Sequence, residues 1–554
     1  MTKLVDKHLI NGKFLNVFTS VFEETELWID GDKIVRRGHS DALTASETVD
    51  LAGQYVTPGL IDAHVHVESS LLAPSEFSRL LLSRGVTRVF ADPHEIASVA
   101  GISGLQYMID EARQSALHFH FMLPSSVPAT PFEHAGAVLH AQHLKPFYEY
   151  PEVHGLAEVM DFPAIANGDA DMMAKIHDAQ AAGRHVDGHG AGLTREQLAI
   201  YRAVGIDTDH ESDSAEAALE RLDAGMAIFI REGTVERDEV AILPIVTALN
   251  QQYFSFATDD KTAVDIQKEG SIDFNVNLAV AQGLPMTLAL KLASYNAAQA
   301  HHLQNVGALT DGYAADLAIF DDLNHFTAKR VLVGGEWVDD DPKANVVLPL
   351  ANQALNFEMS LADFTVPMTQ TRAHVIEIVP HHITTHHLVM DVPVEDGQFV
   401  ANEEFAKIAV VERYHKLGHG LGIIKGFQLK QGAIAGTIAH DSHNLVVAGV
   451  DDTAMLLAVN TLKEIGGGLV VVDGQHQVTA VPLAIGGLMS DQPYEELIVQ
   501  MNALQAAFNT ISDAVFDPFI TLSFMALPVI PSLKITDQGL FDFETFSFID
   551  LEAK

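Results

Sequence analysis

Two histidines separated by one residue, His64 and His66, follow the apolar run Pro58-Gly59-Leu60-Ile61-Asp62-Ala63. Strand side chains repeat every two residues, so the two imidazoles project together if this run is a strand. Paired neutral imidazoles are a chelating start to a transition-metal site. Glu68 continues the same parity. Such a pair can also be two solvated strand residues, and Glu68 a surface acid. The apolar run before the pair favours metal, because barrel sites sit at the carboxyl ends of buried strands.

Further polar residues end later apolar runs: Glu158 after Gly155-Leu156-Ala157, His189 after His185-Val186-Asp187-Gly188, His210 after Asp207-Thr208-Asp209, and Asp259-Asp260 after Phe254-Ser255-Phe256-Ala257-Thr258. A lone histidine at a strand end is more often a hydrogen-bonded structural group. Four such endings beside a HisXHis pair point to one shared centre. Asp260 is expected behind Asp259, because adjacent strand residues face opposite ways. His94 and Glu95 follow the second run, His120 lies in the third, and Arg231 ends the seventh beside Glu232. These four, His94, Glu95, His120 and Arg231, read either as groups that orient ligands or touch substrate, or as satisfied barrel polars and a rim ion pair. The segment His440-Asp441-Ser442-His443-Asn444 combines Ser, His and Asp, but no GxSxG accompanies it. It is expected to close over the barrel mouth or to join a network between domains. The adjacent pairs His301-His302 and His381-His382 diverge in a strand and are expected to be non-catalytic.

These residues require a frame that brings strand ends together. Strand-like runs occur at 60–66, 86–91, 117–123, 153–159, 184–189, 205–210, 226–231 and 254–259. Helix-like runs at 170–182, 195–203 and 215–224 lie between them. Eight strands with helical connections predict an α/β protein built on a (β/α)8 TIM-like barrel. A doubly wound open sheet is the main alternative, but no strand–GxGxxG–helix unit or GxxxxGK[ST] loop supports one. Strand-rich patches before residue 57 and from 305 to 338 predict a small β domain formed from both flanks of the barrel. The expected division is 1–57 plus 305–345 for that domain, 58–304 for the barrel and 346–554 for a C-terminal α+β domain. Pro342, Pro349 and Pro367 mark the change, and the last domain carries a helix near 453–464 before Gly466-Gly467-Gly468.

The chain has 554 residues, a net charge of −41 and no cysteine. The charge argues against nucleic acid or an anionic membrane surface as the main partner. The lack of cysteine excludes disulfide scaffolds, Cys-ligated zinc and iron–sulfur clusters. No sustained apolar stretch in the first twenty residues reads as a signal peptide. The run 516–533 is broken by Asp517, Pro518, Pro528 and Pro531 and does not read as a membrane span.

The order HisXHis on strand one, an acid on strand four, His on strands five and six and Asp on strand eight resembles the amidohydrolase superfamily. Many members bridge their metals with a carbamylated lysine; here the strand-four candidate is Glu158. The resemblance narrows to the bacterial adenine deaminases. It rests on Ala63-His64-Val65-His66-Val67-Glu68-Ser69-Ser70, Asp92-Pro93-His94-Glu95-Ile96-Ala97, Asp187-Gly188-His189, Ile230-Arg231-Glu232-Gly233 and Thr258-Asp259-Asp260. In the last third it rests on Ile424-Lys425-Gly426-Phe427, Ala439-His440-Asp441-Ser442-His443-Asn444 and Ala526-Leu527-Pro528-Val529-Ile530-Pro531. It covers nearly the whole chain. One departure is His189-Gly190-Ala191-Gly192, where family members more often place a proline soon after the histidine.

The resemblance implies metal-dependent hydrolysis of adenine to hypoxanthine and ammonia, purine salvage in the cytoplasm and a homo-oligomer, most simply a dimer. One or two divalent ions are expected on His64, His66, Glu158, His189, His210 and Asp259, with Glu158 bridging if there are two. It implies Mn²⁺ or Fe²⁺, and the ligand types also suit Zn²⁺. Asp259 is expected to take the proton of the attacking water and Glu68 to serve a ring nitrogen. The alternatives are an amidohydrolase acting on another aminated heterocycle or cyclic amide, and a metal-binding scaffold without turnover.

Overall fold

The computed structural model describes residues 2–338, 346–350, 355–380 and 382–553. Pro342, the expected boundary at 345 and His381 lie outside the described residues.

The chain opens with five strands, β1 (Lys3–Asn16), β2 (Val21–Asp30), β3 (Lys33–Arg37), β4 (Leu43–Asp50) and β5 (Tyr55–Pro58). Left-handed backbone falls where the sequence allows it, at Asn11 (φ 56°), where β1 bulges against β2, and at Gly31 (φ 58°) in the β2–β3 turn. Leu9, Phe14, Leu27, Ile29, Ile34 and Val56 form the apolar face of this sheet.

Eight parallel barrel strands follow: β6 (Leu60–Val65), β7 (Val86–Ala91), β8 (His118–Leu123), β9 (Val153–Val159), β10 (His185–Gly188), β11 (Thr208–Asp209), β12 (Ala227–Arg231) and β13 (Phe254–Ala257). β6 to β10 are hydrogen-bonded in sequence, as are β11 to β13. The Asp259 amide donates to the His64 carbonyl at 3.0 Å, and the His66 amide donates to the Asp259 carbonyl at 3.3 Å, so β13 returns to β6. At the remaining seam side chains carry the junction. His185 Nε2 lies 2.9 Å from Thr208 Oγ1, which donates to Asp187 Oδ1 at 2.5 Å. The sixth strand is therefore shorter than the run 205–210 suggests. The interior below the mouth is filled by Ile61, Ala63, Phe90, Met122, Ala157, Phe229 and Ala257, which makes it a packed core. These eight strands do not form the doubly wound open sheet.

The connecting helices begin where side chains satisfy their free amides. Asp169 caps Ala170–Ala181, Ser214 caps Ala215–Asp223, and Thr194 with Gln197 forms a capping box on Arg195–Ala203. After the barrel, β14 (Leu317–Phe320), β15 (Arg330–Val333) and β16 (Glu336–Trp337) complete the first sheet in the order β16-β15-β14-β5-β1-β2-β3, with β4 on β1.

The last third holds a second eight-stranded sheet. Helix Asp452–Ile465 covers one face through Ala454, Met455, Ala458, Val459 and Leu462, and ends at Gly466 with φ 80°. Helices Tyr494–Ile511 and Pro518–Phe524 pack toward the barrel, and one continuous apolar core joins both bodies. Among the described residues no helix is long and apolar enough to cross a membrane.

Candidate active site

β6 does not keep a simple alternation. Against β7, Asp62 pairs with Val89 and Val65 with Ala91, so three steps on one strand match two on the other. The extra residue re-aims the chain. Ala63 joins the apolar interior while His64 and His66 reach the polar mouth. His66 Nδ1 donates to the Asp92 carbonyl at 3.1 Å, which leaves Nε2 facing the cavity. His64 Nδ1 lies 3.5 Å from Asp187 Oδ2 and likewise turns Nε2 inward.

The two Nε2 atoms are 3.2 Å apart. Asp259 Oδ1 stands 3.6 Å from His64 Nε2 and 3.2 Å from His66 Nε2. Glu158, near the end of β9, faces His66 with Oε1 at 3.4 Å. Its Oε2 lies 2.5 Å from His189 Nδ1 and 3.2 Å from His210 Nε2. The six residues His64, His66, Glu158, His189, His210 and Asp259 thus converge around Glu158 and all but His189 are buried. Imidazole lone pairs face one another and carboxylate oxygens, an arrangement that repels itself unless cations lie among them. Nitrogen and carboxylate donors in this grouping fit a divalent ion.

Asp259 occupies left-handed backbone space (φ 55°) just past β13. That breaks the alternation, and Asp260 lines the cavity beside Asp259. It accepts a hydrogen bond from Ser69 Oγ. Burial, then the Asp259 charge, raises its carboxyl above the usual range. Arg231, ending β12, donates Nη1 to Asp259 Oδ2 at 3.0 Å and to Glu211 Oε1 at 2.5 Å, and Nε to Asp238 at 2.8 Å. His94 opens the helix after β7, with Nδ1 3.0 Å from Asp92 Oδ2 and 3.5 Å from Glu158 Oε1. Glu95, next on that helix, faces His440 Nδ1 at 2.8 Å and His443 Nε2.

Glu68 lies in a short helical turn after β6. Its Oε1 accepts the Ile96 amide at 3.1 Å, while Oε2 is buried without a hydrogen-bond partner among the described residues. Burial, then the charge of Glu95, pushes its carboxyl up to about 7. His120 is not brought to this group. It sits at the other end of the barrel, stacked on Phe90 at 4.9 Å and accepting from Arg88 Nη1 at 3.2 Å. His118, two residues earlier on β8, lies 3.3 Å from Asp316 of the flanking β domain, which Arg88 also binds. The strand reading of position 120 holds, but its level along the barrel separates it from the mouth.

Two adjoining chambers result. One leaves about 40 Å³ of water-accessible room against His66, Glu158, His189, His210 and Asp259; the other leaves about 30 Å³ and includes Glu68. Glu95, Asp260 and His440 wall both. The roof is made by the C-terminal body through Ile383, Asp441, Phe524, Leu527 and Ile530.

A model described as "Amidohydrolase family" matches residues 55–338, and one described as "Adenine deaminase C-terminal domain" matches 382–547. An adenine deaminase of Leuconostoc citreum is 65% identical over 553 residues, covering 100% of both chains. Adenine deaminase 1 of Oenococcus oeni is 61% identical over 555 residues, again covering 100% of both. The chain belongs to the adenine deaminase family. That of Lactiplantibacillus plantarum is 48% identical, over 99% of this chain and 98% of its own.

Membership in the adenine deaminase family implies a divalent metal, through the amidohydrolase unit. Sequence reasoning overlooked several groups that shape this adenine deaminase-type site. Asp187 and Glu211 stood beside singled-out histidines and were legible as neighbours. Glu236, buried at the mouth with both carboxylate oxygens unpartnered among the described residues, lies in a loop with no periodic signal. Of the roof residues, Asp441 belongs to the segment 440–444 expected over the mouth, where the structure places it; the others lie hundreds of positions away, where spacing carries no information.

Proposed function

We propose that this chain hydrolyses adenine to hypoxanthine and ammonia at the barrel mouth. The convergence of the His64 and His66 Nε2 atoms with Glu158 and Asp259 carries the reading, together with family membership. His64, His66, Glu158, His189, His210 and Asp259 hold one or two divalent ions, Mn²⁺ or Fe²⁺ before Zn²⁺. A bound divalent ion supplies Lewis acidity that makes water nucleophilic near neutral pH.

The side chains divide the remaining work. Asp259 accepts a proton from water as oxygen bonds to C6, and returns it to the departing amine. Arg231 fixes the outer oxygen of Asp259 and keeps the acceptor oriented. Glu68, poised by burial near neutrality, donates to a ring nitrogen as C6 becomes tetrahedral. The ring spans the two chambers, so that C6 faces Asp259 and the nitrogen faces Glu68. His94, Glu95 and Asp260 orient these groups, and His120 takes no part. The step balances: C6–O forms and C6–N breaks, one water proton leaves in ammonia through Asp259, and the other, shed by the C6 hydroxyl as the carbonyl forms, replaces the proton that Glu68 gave to the ring.

The chain divides into a small β domain from 1–57 and 305–345, a barrel from 58–304 and a C-terminal domain from 346–554. It acts as a cytoplasmic homodimer in purine salvage. Turnover of adenine by metal-free protein reloaded separately with Mn²⁺, Fe²⁺ and Zn²⁺ tests the reading. Equal release of hypoxanthine and ammonia, dependent on the ion, supports it. No release despite bound metal and folded protein overturns it in favour of another aminated heterocycle or cyclic amide. Metal binding with no turnover of any such compound leaves a scaffold.

A further inference from the structure

The loop 439–444 of the C-terminal domain is pinned at both ends. The Ala439 amide donates to His443 Nδ1 at 3.2 Å, Tyr414 OH donates to the Ser442 carbonyl at 2.7 Å, and Asn444 Nδ2 donates to the His134 carbonyl at 2.7 Å. Because His443 Nδ1 accepts, its Nε2 carries the proton toward Glu95, so Glu95, His440 and His443 form a buried charged cluster that holds the loop against the barrel. His440 is held between Glu95 Oε1 at 2.8 Å and the Phe524 ring, stacked at 4.7 Å and 12°.

Between these anchors Asp441 is pushed into the metal-facing chamber. It is 4% exposed. Oδ1 stands 3.6 Å from His94 Nε2, and Oδ2 is buried with no hydrogen-bond partner among the described residues. An unsatisfied buried acceptor costs free energy unless a ligand supplies a donor. An aminopurine offers N–H donors on its edge.

We infer that Asp441 is a substrate-binding residue supplied by the C-terminal domain, its free carboxylate oxygen accepting an N–H of the aminopurine, with His440 positioning it. The inference rests on the adenine reading above. It also gives the C-terminal domain a direct part in recognition.

The test compares Asp441→Asn and Asp441→Ala with the unaltered Mn²⁺-loaded enzyme. Asparagine keeps the shape and removes one acceptor. The expected result is a rise in KM for adenine of roughly 10- to 100-fold, kcat within about 3-fold and unchanged manganese content. A KM within about 2-fold in both variants overturns the inference. Loss of manganese assigns Asp441 to supporting His94 and overturns it as well. If the variants fold poorly, hydrogen exchange of the unaltered enzyme decides: hypoxanthine slows exchange at the amides of 440–444, and no slowing overturns the inference. Failure of the unaltered enzyme to turn over adenine in the same assay refutes the adenine reading itself, separately from the variant-to-unaltered ratio.

Discussion

Glu68 has one oxygen tied to the Ile96 amide and one with no hydrogen-bond partner among the described residues. A carboxyl pushed up to about 7 is part protonated at neutral pH and can give a proton to a ring nitrogen. Glu68→Gln keeps the shape and removes the acid. It is expected to lower kcat by roughly 10²- to 10⁴-fold with metal content unchanged; a kcat within about 3-fold would refute the role. Glu158 differs, because it touches His66, His189 and His210. Glu158→Ala is expected to lose bound metal and turnover together, measured by elemental analysis and ammonia release. Near-normal activity in a metal-verified sample would remove Glu158 from the centre. The gathered residues were legible because each ends an apolar run. Glu236 was not, since it arrives on a loop whose path depends on packing rather than on local pattern; the segment 440–444 was expected over the mouth, but not that Asp441 is the side chain that enters.

At the scale of elements, close strand packing sets the ligand positions. A Cβ on Gly155 in β9 would stand 2.4 Å from the His185 carbonyl oxygen and 2.6 Å from Met122 Cε. Gly155→Ala must therefore part β9 from β10, three residues before Glu158. We expect a loss of about 1–3 kcal/mol in urea unfolding, with reduced turnover. An unchanged midpoint would show that the seam is slack. Eight strands were readable as buried apolar runs, and the three foreseen helices end within one residue of their expected limits. Their caps are local and written in Asp169, Thr194 and Ser214. The brevity of β11 was not readable, because its junction with β10 uses side chains in place of a ladder. The position of Asp260 was likewise hidden, since it follows from one left-handed residue, Asp259.

Across the whole molecule, the roof is tied down by Lys534, whose Nζ donates to the Ile383 carbonyl at 2.7 Å and the Phe524 carbonyl at 2.9 Å. Burial pushes this ammonium down to about 7 from its ordinary 10.5. Between those values the unfolded chain binds the extra proton, so this group makes stability rise with pH from about 7 to 10.5 and adds nothing further above. Below about 7 the folded state carries the buried charge at its full cost. Denaturation midpoints of the unaltered protein should climb across that window relative to Lys534→Met, by up to ~1.4 kcal/mol per pH unit. Parallel profiles would count against the assignment. The barrel and its two companions were foreseeable from alternating runs and composition shifts, whereas of the contacts that lay one over the other only the 440–444 segment was. The first sheet has a consequence for synthesis. β5 pairs with β14, and all of 59–316 must emerge between them. At ~5–20 residues per second the ribosome leaves that strand edge without its partner for on the order of 10–50 seconds. An exposed edge of that duration invites pairing with other chains, so the nascent protein should depend on chaperones until its two ends meet.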